Sequence, residues 1–196
     1  MINSFLRDGD QLIEQLTDFC HTTQGDGVVG NSVSEILKDV HKNGDEAVLS
    51  RTLLYDKARL ASGEIRITED ELEKAKGELL PREKESILEA IENVTSFHEQ
   101  SVPENWDMTN NHGAKVGEKY YPINRVGIYV PGGNVPLIST VIMTVTIAKV
   151  AKVNQIAVVT PPSAEGKIAP QMLAALALLG VKEIYKVGGA QAIAAL

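Results

Sequence analysis

The sequence predicts an α/β fold, a helical N-terminal region followed by a partial parallel sheet. Three observations carry that prediction. Up to about residue 100, cap-like residues punctuate stretches with apolar positions at helical spacing. From about residue 118, short β-rich runs alternate with alanine- and leucine-rich stretches. Those runs are almost continuously apolar, as expected of parallel strands covered on both faces.

The helical half begins to read clearly after Gly25, Gly27 and Gly30. Ser32 and Glu35 have capping-box spacing, and Val33, Ile36, Leu37 and Val40 follow on one face. Gly44 stops that helix and Asp45 can cap the next, which carries Val48, Leu49 and Leu53. Thr68 and Glu71 repeat the box ahead of Leu72 and Ala75. Pro81 suits a helix first turn, and behind it Ile87, Leu88, Ile91, Val94 and Phe97 form the longest amphipathic stripe. Residues 101–117, with Pro103, Asn110, Asn111 and Gly113, read as a linker that Trp106 anchors on the helices.

Beyond it, strands are expected at Val126–Val130, Gln155–Thr160 and Glu183–Val187. Helices are expected at Ser139–Lys152, at 168–179 and after Gly189. Right-handed crossovers follow from that order. The chain thus divides into 1–117, helical region and linker, and 118–196, a partial and incomplete Rossmann-like domain.

Bulk properties narrow the function. The 196 residues carry a net charge of -7 with both signs interspersed, so the basic footprint of a nucleic-acid binder is missing. Cys20 is the only cysteine, which excludes an internal disulfide and a cysteine-rich zinc site. Its neighbour His21 points about 100° away on a helix, which makes a catalytic pair the weaker reading. Glu69, Asp70 and Glu71 read as a solvated face, since no histidine stands three or four residues away. The N-terminus lacks a signal-peptide pattern and no run of 18 apolar residues occurs, so no membrane association and a cytoplasmic location are expected.

Two strands run into glycine pairs that lead towards helices: Tyr129-Val-Pro-Gly-Gly133 and Lys186-Val-Gly-Gly-Ala190. Ligands of open parallel sheets bind beyond the carboxyl ends of the strands, where glycine lets backbone approach closely. A phosphate or nucleotide site at both loops and plain tight turns are both compatible with this pattern. The dinucleotide fingerprint G-x-G-x-x-G and the Walker pattern are absent. The middle strand ends in Thr160-Pro161-Pro162, with no acidic residue for a ribose.

The run RVGIYVPGGNVPLISTVIM, Arg125–Met143, resembles the signature segment of the histidinol dehydrogenases. So does YKVGGAQAIAAL, Tyr185–Leu196, and AKVAKVNQIAVVTPP between them matches in length and character. Upstream, GDEAVLSRTLLYD and the helix ending SFHEQ look like that family's helical region. The resemblance implies an NAD- and zinc-dependent homodimeric oxidoreductase of histidine biosynthesis, which oxidises L-histidinol to L-histidine through the aldehyde. It implies that Tyr129, Gly132, Gly133 and Gln191 face NAD. Ser139 and Thr140 match a family pair near the substrate, with helix capping as the competing role for Ser139. The family's zinc ligands and Glu-His base pair match no residue here, so no catalytic residue and no metal ligand are expected among these 196. Ile147 and Lys152 depart from the family's proline and glycine in "PAKVAG". That departure keeps open a sibling dehydrogenase of another small polar alcohol, and a non-catalytic nucleotide-binding scaffold is the rival of another class.

Overall fold

The computed structural model describes residues 27–132 and 136–196. Helices α1 (Gly27–Asn43) and α2 (Asp45–Asp56) come first. A short 3-10 turn (Ser62–Glu64), α3 (Glu69–Glu78) and α4 (Pro81–Glu99) follow. Strands β1 (Trp106–Thr109) and β2 (Lys115–Glu118) then form an antiparallel hairpin. The chain continues as β3 (Arg125–Tyr129), α5 (Ile138–Val150), β4 (Gln155–Thr160), α6 (Pro170–Leu178), β5 (Glu183–Lys186) and α7 (Gly189–Ala195).

The caps explain several of these boundaries. Thr68 Oγ1 accepts from the Glu71 amide at 3.2 Å while Glu71 Oε2 accepts from the Thr68 amide at 2.8 Å, the reciprocal box expected from the sequence. Pro81 occupies the first turn of α4, where its missing N–H costs nothing. Gly44, at φ 55°, ends α1 as expected. Ser32 does not start that helix: α1 runs through Gly30 from Gly27, and Ser32 lies inside it. Gly44, not Asp45, is the cap residue of α2. Residues 106–118 are not a simple linker either. Asn110 Oδ1 accepts from the amides of His112 and Ala114, and Gly113 takes φ 79°, which together close the hairpin. Trp106 is half exposed and donates to Glu118 within that hairpin.

The parallel sheet has the order β3-β4-β5, with β4 in the middle. Alternation along the strands sorts the core into two layers. Ile128, Val158 and Ile184 share one row and pack against α5 and α6, backed by α3 and α4. Tyr129, Val159 and Tyr185 share the opposite row, packing with Ile36, Val40 and Val48 of α1 and α2 and Ala192 of α7. The sheet is therefore covered on both faces. Against the outer side of β5, the segment around Arg66 pairs antiparallel: Ile67 N–H donates to Ile184 O at 2.9 Å and Lys186 N–H to Ile65 O at 2.7 Å. At the opposite, amino end of the strands, Arg125 forks onto Glu183 at 2.7 and 3.0 Å and also reaches Gln155.

Candidate functional site

Parallel strands end on the same side, so the chain after β3, β4 and β5 emerges at one edge of the sheet. There the two glycine turns flank the end of β4. A methyl group on Gly132 would overlap Pro161 Cγ and stand 3.3 Å from its Cβ and Cδ. One on Gly188 would overlap Pro161 Cβ and stand 3.0 Å from Cγ. Both glycines are thus required by the same proline ring. Gly132 is exposed and Gly188 buried. Gly133 lies outside the described residues.

Tyr129, the last residue of β3, links the turns directly. Its hydroxyl accepts the Gly189 N–H at 3.3 Å. The first amide of α7 is therefore occupied by a phenol oxygen rather than free for an anion. Accepting that bond leaves the Tyr129 O–H free to donate elsewhere. Gly189 has φ 66°, a left-handed conformation that favours glycine, and a methyl there would lie 2.6 Å from Gln191 Oε1.

Gln191 is wholly buried, and neither Nε2 nor Oε1 finds a partner among the described residues. Gly188 is the cap residue of α7 and no side chain caps that end, so helix capping does not explain Gln191. A buried amide carrying two unmet hydrogen-bonding functions costs stability unless something meets them. A neutral amide or a ribose hydroxyl would do so, because the glutamine offers one donor group and one acceptor.

Other candidates are placed less suggestively. Ser139 is exposed in the first turn of α5, one residue inside the helix, and is not its cap. Ile147 is exposed on α5, and Lys152 stands at the C-terminal end of that helix, beside the amino end of β4. Both departures from the family pattern thus lie away from the glycine turns. A cavity of about 270 Å³ opens over the α1–α2 face of the sheet, with Arg66, Arg125 and Tyr185 above an apolar floor that includes Val159. Its lining contains none of Tyr129, Gly132 and Gln191, whereas the turns bring their unusual residues together and take precedence for that reason. Cys20 and His21 lie outside the described residues. Among those described, no three His, Cys, Asp or Glu side chains come together to hold a metal, so the zinc of the resemblance finds no fit here. No helix described is long and apolar enough to cross a membrane.

Sequence reasoning misses Pro161 as a site component. A signal for it exists: a Thr-Pro-Pro at the end of a central strand, between two strands ending in glycine pairs. Taken by itself, that motif draws attention only to the acidic residue it lacks.

The family model described as histidinol dehydrogenase matches residues 21–196. The histidinol dehydrogenase of Symbiobacterium thermophilum is 42% identical over 164 residues, covering 84% of this chain and 37% of the relative. Histidinol dehydrogenase 2 of Trichormus variabilis is 40% identical over 184 residues, 93% of this chain and 42% of its own length. The crystal structure of histidinol dehydrogenase from Elizabethkingia anophelis superposes with a TM-score of 0.81 at 34% identity, covering 85% of this chain and 38% of that one. The chain spans about two fifths of the length of the curated relatives it matches.

Proposed function

The chain belongs to the histidinol dehydrogenase family, and from that premise we propose that its glycine turns form part of an NAD site. The site serves the oxidation of L-histidinol to L-histidine by way of the aldehyde. Tyr129, Gly132, Gly133 and Gln191 would hold the cofactor. Tyr129 offers a ring face and one free O–H, the glycines let backbone approach, and Gln191 meets an amide or ribose. NAD, when bound, supplies the hydride acceptor. The one observation that carries the reading is the buried, unpartnered amide of Gln191, set beside Gly189 and the Tyr129–Gly189 hydrogen bond.

The catalytic half of the reaction is not assigned to these residues. The zinc ligands and proton-moving pair implied by the family have no counterparts among them, and no step through zinc is derived. The 196 residues alone should bind NAD weakly and leave histidinol unoxidised. Calorimetric titration with NAD checks the first statement, and absorbance of NADH in a mixture with histidinol, NAD and zinc checks the second. No heat at millimolar NAD would sink the cofactor site, and sustained NADH formation would sink the division of labour.

A further inference from the structure

We infer that Pro161 is a positioning residue for the cofactor turns: its ring, wedged between Gly132 and Gly188, sets their separation. β4 lies between β3 and β5, so neighbours about 4.8 Å apart leave the outer two nearly 10 Å from each other. The turns that follow those outer strands can act on one ligand only if something defines the gap over the end of β4. Pro161 stands one residue beyond that end and fills the space on the Gly132 side and on the Gly188 side. A proline ring suits this task, because it has no side-chain rotamers of consequence and a locked φ, so its thickness is constant. Proline also holds Thr160 extended and brings no N–H of its own. Pro162 behind it is buried. The plainer alternative is that Pro161 only terminates the strand.

The two sides of the wedge touch different atoms, which makes the inference testable. A methyl on Gly132 would meet Cγ first, with Cβ and Cδ at 3.3 Å, whereas one on Gly188 would meet Cβ first, with Cα at 3.1 Å. Neither glycine has a positive φ, so alanine at either position reports overlap and not backbone strain. Pro161→Ala removes Cγ and Cδ and keeps Cβ. It should therefore relieve Gly132→Ala and leave Gly188→Ala as damaging as before, whereas Pro161→Gly should relieve Gly132→Ala and most of Gly188→Ala, the 3.1 Å approach to Cα alone remaining.

The test is a set of double-mutant cycles on the 196-residue chain, read by thermal melting, together with NAD titration of each folded variant. The functional half rests on the cofactor reading above. Pro161→Ala is expected to melt as a folded protein and to bind NAD about tenfold more weakly. Pro161→Val, which restores bulk at Cγ, is expected to recover most of that loss. Additive melting effects for Pro161→Ala with Gly132→Ala would overturn the wedge. Unchanged NAD affinity in a less stable Pro161→Ala would reduce the proline to a strand terminator, which also overturns it. Melting coupling among the variants together with no NAD uptake by the wild-type chain would refute the cofactor site, and with it the positioning role, while leaving the packing intact. The two failures are thus distinguishable.

Discussion

At Gln191 stability and function pull in opposite directions. Its amide is wholly buried without a partner, so a side chain of similar length and no hydrogen-bonding demand should fit better. Gln191→Met is expected to raise stability by about 1–3 kcal/mol in urea unfolding and to abolish the NAD titration signal. A loss of stability would mean that the amide is already satisfied and not waiting for a ligand. Lys152 makes a second conflict visible. It takes φ 61° in a Schellman turn, where its amide donates to Lys149 O at 2.9 Å and that of Val153 to Ala148 O at 3.0 Å. Gly180 does the same job after α6, with φ 71° and bonds to Ala177 O and from Val181 to Leu176 O at 3.0 Å each. One motif thus carries its favoured residue and the other does not. Lys152→Gly should add about 1 kcal/mol and Gly180→Lys remove about as much, both read by denaturant midpoints. Lys152 thus ends its helix at the amino end of β4, away from the glycine turns.

Elements were legible wherever a local rule decided them. The Thr68–Glu71 box, Pro81 and Gly44 act within one turn of chain, and the boundaries they imply match those found. The capping spacing at Ser32 misled because α1 continues through a glycine that local propensity alone would make a stop. The hairpin is not legible in the sequence because its strands are short and wholly exposed, with no buried alternation. What holds it is polar: the Tyr120 O–H and the Trp106 indole N–H both donate to Glu118, and Asn105 accepts the Tyr120 amide at 2.6 Å. The Tyr120 bond, more than that from Trp106, holds the Glu118 carboxyl below the ordinary glutamate range. A lowered carboxyl means that the arrangement persists above its pKa and is lost as pH falls through it. Trp106 is the only tryptophan, so acid titration of its fluorescence should show a step with a midpoint below about 4.3, absent in Glu118→Gln. A midpoint at or above that value would detach Glu118 from the hairpin.

At the scale of the whole molecule, the layering of the sheet followed from the near-continuous apolar strands, since such strands require cover on both faces. The way its margins are treated did not, because it depends on contacts far apart in sequence. On one side, residues 65–67 pair with β5 around an Arg66–Tyr185 bridge, and Ile65 O occupies the Lys186 amide. On the other side, β3 meets no strand among the described residues. Its Val130 amide donates inward to Val159 O at 2.9 Å, so the parallel alternation turns the amides of Val126 and Ile128 inward as well. Those of Gly127 and Tyr129 then point outward. Hydrogen exchange should therefore be asymmetric across a sheet whose strands are otherwise equivalent. Protection is expected at Ile128, Val130 and Lys186, and exchange close to that of open chain at Gly127 and Tyr129. If Gly127 and Tyr129 proved as protected as Lys186, β3 would be covered in solution, by another segment or another copy. The glycine turn that leaves β3 would then be held from both sides, and the freedom of Gly132 to meet a cofactor would have to be judged against that cover.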